Sequence, residues 1–362
     1  MNRLELDSVE WKEFFIGGEE GLFNIRSTNS GIDKNKLLET NGDIPYVTRS
    51  NLNNGIDIFV GEKQNTGFSI DRGNVITIGL DTQTVFYQPK NFFTGQNIQI
   101  VENKLLNKEI ALFLVPLLKI QMRKFSWGST GATLTRLNRT KILLPVDSNG
   151  NPNWRFMEDY IKRKQKEQAQ KIVNYYKQRM IEYCFELLDF ENVEWKEFKF
   201  EKIFKKIQRG KRLTKSNQIE GNTPYISSTA MNNGVDNFIN NEDNVRKFKN
   251  CLTVANSGSV GACFYHHYEF VASDHVTSLK LKDENNADKY IYLFISSIIK
   301  RLEEKYSFNR EINDKRIRQE KIILPVDKNG NPHWQYMRMV MKKIESEKIS
   351  KVVEHLINTY IN

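Results

Sequence analysis

The sequence predicts an α+β protein built from two pseudo-repeated mixed α/β domains, each followed by a long helix, with the two helices packed as an antiparallel coiled coil. Three observations carry this reading: a strand–turn–helix joint that occurs twice, short-strand signals ahead of each joint, and a glycine-free helical stripe after it. The joint is KILLPVDSNGNPNWRFM at residues 141–157, which returns as KIILPVDKNGNPHWQYM at residues 321–337 with twelve of seventeen residues identical. In each copy a short apolar run ending in Pro145-Val146 or Pro325-Val326 predicts a strand at an edge or an ending, because proline has no amide to give a ladder. Asn149-Gly150 and Asn329-Gly330 signal a turn. Asn151-Pro152 and Asn331-Pro332 then predict a helix start, with asparagine as N-cap and proline in the first helical position.

The repeat runs through most of the 362 residues, so each copy checks the reading of the other. VEWKEF at residues 9–14 recurs unchanged at residues 193–198. IPYVTRSNLNNGID at residues 44–57 matches TPYISSTAMNNGVD at residues 223–236. Strands are expected at residues 44–48, 74–79 and 84–87, where β-branched and aromatic residues stand between Gly, Asn and Asp. One helix is expected among them at residues 107–125, where Ile110, Phe113, Leu114, Leu117, Leu118 and Met122 form a face despite Pro116, with a counterpart at residues 290–306. After the first joint Val173, Tyr176, Met180, Tyr183 and Leu187 alternate at spacings of three and four, the seam of a coiled coil. The second helix offers Met337, Met341 and Ile344, then Ile349, Val353, Leu356 and Tyr360, with a stutter between the sets. Packing against the protein's own domains is the alternative use of these stripes. The expected boundaries are a first domain at 1–150, a helix at 151–190, a second domain at 191–330 and a second helix at 331–362.

With 27% charged and 39% hydrophobic residues the chain has the composition of a folded globular protein rather than a disordered one. Its 54 basic against 44 acidic residues give a net charge of +10, which favours a polyanionic partner, with nucleic acid first. Charge alone is equally compatible with a merely basic cytosolic protein. There is no run of 18 apolar residues, so no membrane is expected and a cytoplasmic location is. Cys184, Cys251 and Cys263 are odd in number and widely spaced, which argues against a disulfide framework, and Cys263 with His266 and His267 is a poor ligand set for a metal.

The sequence holds no P-loop, GxSxG, HExxH or glycine-rich dinucleotide turn, and no Asn/Asp-Pro-Pro-aromatic tetrad. No catalytic residues are therefore assigned, and no metal. What the loops do carry is chemistry suited to bases and phosphates, since Arg, Lys, Asn and Gln pair base edges while Ser, Thr and Lys serve phosphates. In the first copy the candidates are Arg26, Ser27 and Asn29; Thr48, Arg49 and Asn51; and Trp127, Ser129, Thr130, Arg136 and Asn138. In the second they are Arg209, Lys211, Arg212 and Lys215; Ser228; Asn256 and Ser257; His266; and Asn309, Arg310 and Arg316. The copies diverge most at residues 126–137 against 306–317, which is what two readers of different sequences on one scaffold require.

With Val9 to Phe14, the Ile44-Pro45-Tyr46-Val47-Thr48 strand, Arg136-Leu137-Asn138 and the LPVD-x-NGNP-x-W joint all present, the chain resembles the DNA-specificity subunits of Type I restriction-modification systems and their Type IIB relatives. The second copy departs at Arg316-Ile317-Arg318. The resemblance implies two target-recognition domains, each reading one half of a split site in double-stranded DNA, with the helices setting the gap. It implies docking of adenine-methyltransferase subunits, and leaves open a restriction or motor subunit beside them. No cofactor is expected in this chain; S-adenosylmethionine and Mg²⁺, and ATP with a motor subunit, belong to the partners. The competing readings are an RNA-binding or structural coiled-coil scaffold, and a nuclease or methyltransferase with an unrecognised active site.

Overall fold

The two most faithful repeats turn out to be partners. In the computed structural model Trp11–Phe15 pairs antiparallel with Lys141–Pro145, and Trp195–Lys199 with Lys321–Pro325, each a separate two-stranded ribbon. Pro145 and Pro325 are the last residues of their strands, as proline's missing donor requires. The structure describes residues 5–125, 131–184, 193–307 and 309–362, with the backbone alone at 180–184. These fall into two compact units, residues 1–171 with 356–362, and residues 172–355.

The first unit holds a four-stranded antiparallel sheet in the order Asn24–Ser27, Ile98–Glu102, Val75–Gly79, Val85–Gln88. A three-stranded sheet of Ile56–Val60, Ile44–Val47 and Phe93–Thr94 stands apart from it. In the second unit the same order is one six-stranded sheet: Phe204–Arg209, Val276–Leu281, Lys247–Ala255, Cys263–Ala272, Glu220–Ile226, Val235–Ile239. The difference has a local cause. Pro89 occupies the place that His267 holds in the continuous strand Cys263–Ala272, and it removes a ladder donor between Val85–Gln88 and Phe93–Thr94. The larger sheet also bends, where the register shifts between Lys249 and Cys251 and Asn250 takes φ 50°.

The four-stranded and the six-stranded sheet are each covered by the expected helix. Lys108–Met122 starts at Asn107, whose side chain accepts from the Ile110 amide at 2.9 Å; Pro116 is exposed, so the carbonyl it leaves unpaired faces water. Its counterpart is shorter than expected, Lys289–Ile299, and breaks before Leu302–Lys305. Both cores recruit the joint. Ile142, Leu144 and Met157 are buried with Ile76, Ile78 and Leu114, and Ile322, Leu324 and Met337 with Leu252, Leu279 and Ile295.

The long helices are Trp154–Cys184 and Trp334–Leu356. They begin two residues later than the sequence suggested. Asn151 does not cap: its amide, like that of Asn149, donates to the Asp147 carboxylate, and Val146 bridges to Pro152. Asn153 caps instead, accepting from the Phe156 amide at 3.0 Å, and His333 does so through Nδ1 at 3.3 Å from the Tyr336 amide.

Of the expected seam, Val173, Ile349 and Val353 are each buried, while Tyr176 and Leu356 are half-buried. The side chains of Met180 and Tyr183, and Leu187 altogether, lie outside the described residues. Met341 packs on the core of the second unit. Ile344 is 44% exposed and is not on the buried stripe. Stepping four residues back from Ile349 lands on Glu345, about 100° round the helix from Ile344. Among the described residues no helix is long and apolar enough to cross a membrane.

Candidate nucleic-acid interface

In the first unit two buried or half-buried carboxylates gather the candidate loops. Asp71 is fully buried and takes Arg26 Nη1 at 2.7 Å, Thr28 Oγ1 at 2.5 Å and the Asn29 amide at 3.1 Å. Arg26 also clamps Glu102 at 2.7 Å and 2.9 Å and donates to Asn29 Oδ1 at 3.2 Å. Burial works against the guanidinium charge, but the bonds to Asp71 and Glu102 outweigh it and hold the group above its ordinary range. Arg26 is therefore an anchor of the 27–31 loop, which it leaves with Ser27 and Asn29 exposed.

The second carboxylate is Asp81. It pairs with Arg49 and accepts from Asn97 Nδ2 at 3.2 Å, while the Leu80 amide reaches the Asn97 carbonyl at 2.9 Å and the Ala132 amide the Leu80 carbonyl at 3.4 Å. Four loops thus meet at one rim. Thr48 Oγ1 accepts from the Ser50 amide within the same turn, and Asn51 beyond it is exposed. Arg136 is exposed, with Nη1 on the Gly131 carbonyl at 2.9 Å; Asn138 is half-buried against Gly17. Trp127, Ser129 and Thr130 lie outside the described residues.

The second unit assembles its rim differently. Arg209 pairs with Asp314 at 2.7 Å and donates to the carbonyls of Ile312 at 2.8 Å and Asp274 at 3.4 Å. Asn256 is buried, accepting from Thr277 Oγ1 at 2.9 Å, with its own carbonyl taking the Ile312 amide at 3.0 Å. Ser257 Oγ lies 2.7 Å from His275 Nδ1. The Ser259 amide donates to the Ser228 carbonyl at 3.0 Å. Asn256 is thus a fastener, and its expected role as a DNA contact is corrected: it is buried, and its amide donates to the His275 carbonyl at 2.8 Å, so that with the Ile312 bond it ties together loops 256–259, 273–275 and 310–314. Lys211 is exposed and bonded to Asn244 Oδ1 at 2.9 Å. Arg212 and Lys215 are exposed, and among the described residues no ion pair or hydrogen bond takes up their charge. Asn309, Arg310 and Arg316 are exposed too, with the Arg310 guanidinium 5.6 Å over the Tyr306 ring and Arg316 Nη1 2.6 Å from the Glu311 carbonyl.

His266 is also corrected. It is fully buried, with Nε2 2.9 Å from Thr253 Oγ1 and Nδ1 3.0 Å from the Tyr268 hydroxyl. The first copy has Gln88 at this place, buried and donating to Thr77 Oγ1 at 3.3 Å. A polar core position with a threonine partner is what both copies maintain. Burial, with His267 adding to it, lowers the imidazole pKa to about 4, so it is neutral in the folded protein.

The sequence reading missed Asp71 and Asp81. The signal was present, because an acid beside a run as apolar as Val75–Gly79 has to find a partner on folding. Polar contacts tie in the long helices at Lys166 and Glu345. Within the first unit Lys166 Nζ donates to the Ile361 carbonyl at 2.7 Å. Within the second, Glu345 takes Arg179 at 3.5 Å, Lys289 at 2.9 Å and the Tyr290 hydroxyl at 2.7 Å. Among the described residues no cluster of His, Cys, Asp and Glu could hold a metal ion.

Comparison with known proteins matches this arrangement twice along the chain. The model of the Type I restriction modification DNA specificity domain matches residues 8–174 and 192–355. The chain is 32% identical over 324 residues to the specificity subunit of a Type II restriction enzyme from Heyndrickxia coagulans, covering 89% of this chain and 92% of that one. Among solved structures, the S subunit of a Type I restriction-modification system from M. genitalium is similar at 16% identity and a TM-score of 0.47, over 98% of this chain and 94% of that one. An HsdS subunit from Thermoanaerobacter tengcongensis is similar at 12% identity and a TM-score of 0.32, over 96% and 91%.

Proposed function

Because the chain belongs to the family of Type I restriction modification DNA specificity domains and carries two of them, we propose that each domain reads one half of a bipartite site in double-stranded DNA. The observation that carries this is the contrast within the repeat. Ribbon, sheet order and joint are kept, while the rims differ in the groups they expose: Ser27, Asn51 and Arg136 in one copy, Arg212, Lys215, Arg310 and Arg316 in the other. Exposed cations of this kind suit phosphates, and Arg and Asn suit base edges.

The long helices act as the ruler between the halves. The first has 31 residues, which at 1.5 Å each gives about 46 Å, somewhat more than a DNA turn of about 34 Å. An antiparallel pairing of the two helices is supported by contacts whose order is opposite in the two chains of residues, Lys166 with Ile361 and Arg179 with Glu345. The chain itself performs no catalytic step in this reading. Adenine-methyltransferase subunits dock on it and bring S-adenosylmethionine and Mg²⁺, and a restriction or motor subunit using ATP is the further partner to look for. The complex works where the chromosome is, in the cytoplasm. The domain limits proposed are residues 1–150 and 191–330, with the helices between and after them.

Co-purification with the methyltransferase encoded beside this gene, followed by mapping of methylated adenines in host DNA, tests the proposal. The expected result is a split motif with a constant gap, of which one half alone changes when residues 126–137 are exchanged. Absence of a bound partner together with absence of any split motif would overturn it.

A further inference from the structure

The two copies share one surface feature that the loops' divergence has not erased. Leu52 and Met231 stand at equivalent places in the repeat and are 72% and 71% exposed. Neither is a loose side chain on a floppy turn. Asn53, Asn54 and Gly55 follow Leu52 with φ of 49°, 57° and 79°, and Asn232, Asn233 and Gly234 follow Met231 with φ of 48°, 55° and 81°. Three successive left-handed residues are rare outside glycine and persist only where the surroundings fix them.

Here they are fixed in the same way twice. The Leu52 amide donates to Ser50 Oγ and the Met231 amide to Thr229 Oγ1, both at 3.1 Å. The Thr48 amide reaches the Gly55 carbonyl at 2.7 Å, and the Ser227 amide the Gly234 carbonyl at 2.9 Å. Beneath each glycine lies a phenylalanine: a Cβ on Gly55 would stand 3.4 Å from Phe86, and one on Gly234 3.5 Å from Phe264. Over each ring sits an exposed lysine from the domain helix or its end, Lys119 at 4.9 Å from the Phe86 centroid and Lys300 at 5.7 Å from that of Phe264. Each copy therefore holds out one apolar tip followed by two asparagines, with a cation over the ring beneath the turn, in the loop after the strand that also carries Arg49 or Ser228.

We propose that Leu52 and Met231 are specificity-determining residues that make an apolar contact with the bases of their half-sites, while Lys119 and Lys300 take the adjacent phosphate. This rests on the two-domain DNA-reading function proposed above. A patch for docking a protein would continue over large apolar neighbours, whereas in its loop Leu52 stands among Ser50, Asn51, Asn53 and Asn54, and Met231 among Thr229, the small Ala230, Asn232 and Asn233. An isolated, rigidly presented aliphatic group fits either a thymine methyl or the gap between two base pairs, both of which are apolar contacts with DNA bases. Leucine in one copy and methionine in the other matches the reading of two different halves.

The test uses the full chain with its methyltransferase partner and a duplex carrying the motif found by methylation mapping. Leu52→Ala and Met231→Ala should each weaken binding of that duplex by about tenfold or more, from the loss of buried apolar area, and leave a scrambled duplex unaffected. Because both side chains are exposed, thermal unfolding of the free protein should not move. Deoxyuridine in place of thymidine in the affected half should reproduce the loss if the contact is to a methyl group. A 2-aminopurine in that half should brighten with wild-type protein, and not with the variant, if the tip enters the stack. Unchanged cognate affinity for both variants, equal loss on scrambled DNA, or loss of methyltransferase co-purification instead would each overturn the inference while the split motif stands. Failure to find any split motif would overturn the recognition function, and the inference with it.

Discussion

His266→Gln rewrites the second domain's core in the manner of the first, where Gln88 already fills the equivalent place against Thr77. In the wild-type protein the imidazole titrates near 6.5 when unfolded and at about 4 when folded, as burial with His267 beside it disfavours the charged form. Between these values the unfolded chain binds a proton that the folded chain does not, so stability falls as pH falls from about 6.5 towards 4. At about 1.4 kcal/mol per unit, this single group removes about 2 kcal/mol between pH 7 and pH 5. The assay is urea unfolding of the full chain at both values, comparing wild type with H266Q so that carboxylates common to both cancel. The variant should lose about 2 kcal/mol less on acidification, and its DNA motif should be unchanged. Equal acid sensitivity in the two proteins would refute the burial argument. A changed second half-site would show that the histidine reads DNA after all.

Other perturbations separate anchors from readers. Asp71→Asn removes a buried charge but leaves Arg26 its bonds to Glu102, so a loss of about 2 kcal/mol in the unfolding of the first domain is expected, with relaxed discrimination in one half-site; full stability would show that the pair contributes nothing. Arg212→Ala should lower affinity on cognate and scrambled duplexes alike and reduce the salt slope by about one, measured by titration at several salt concentrations. An effect at one base only would make it a base contact. Glu345→Gln should cost about 1 kcal/mol by weakening its bonds with Lys289 and Arg179, read as a lower midpoint for the second domain.

Much of the fold was legible because duplication printed it twice. The strands at 44–48, 74–79 and 84–87 and the helix at 107–125 follow from local chemistry, and the structure has Ile44–Val47, Val75–Gly79, Val85–Gln88 and Lys108–Met122. Local chemistry also misled at Asn151, where asparagine before proline resembles a cap, but the Asp147 carboxylate draws the amides of Asn149 and Asn151 into a turn and Asn153 accepts from the helical Phe156 amide instead. The candidate site was harder to read. Arg26 and Arg49 resemble free cations in sequence, and their partners Asp71 and Asp81 lie 45 and 32 residues away, brought near only by sheet order. Arg212 and Lys215 follow the end of an outer strand, so their exposure needed no distant partner to be guessed. His266 could have been placed by alignment with Gln88, since a polar residue kept at one place after the shared Phe-Tyr pair of both strands argues for a core bond.

The ribbon has a consequence for inheritance. Each domain's opening strand, Trp11–Phe15 or Trp195–Lys199, is zipped to its closing strand, Lys141–Pro145 or Lys321–Pro325. A domain's entry and exit are therefore neighbours, and the amino-acid sequence at both is nearly the same in the two copies. Recombination between genes of this kind, guided by that likeness, would cut at the zipper and transfer a reading module whole, with its core and rim intact. Such an exchange changes what half of the site says while leaving the machinery that holds the site unaltered, so new addresses can arise in one step rather than by slow revision of a working loop.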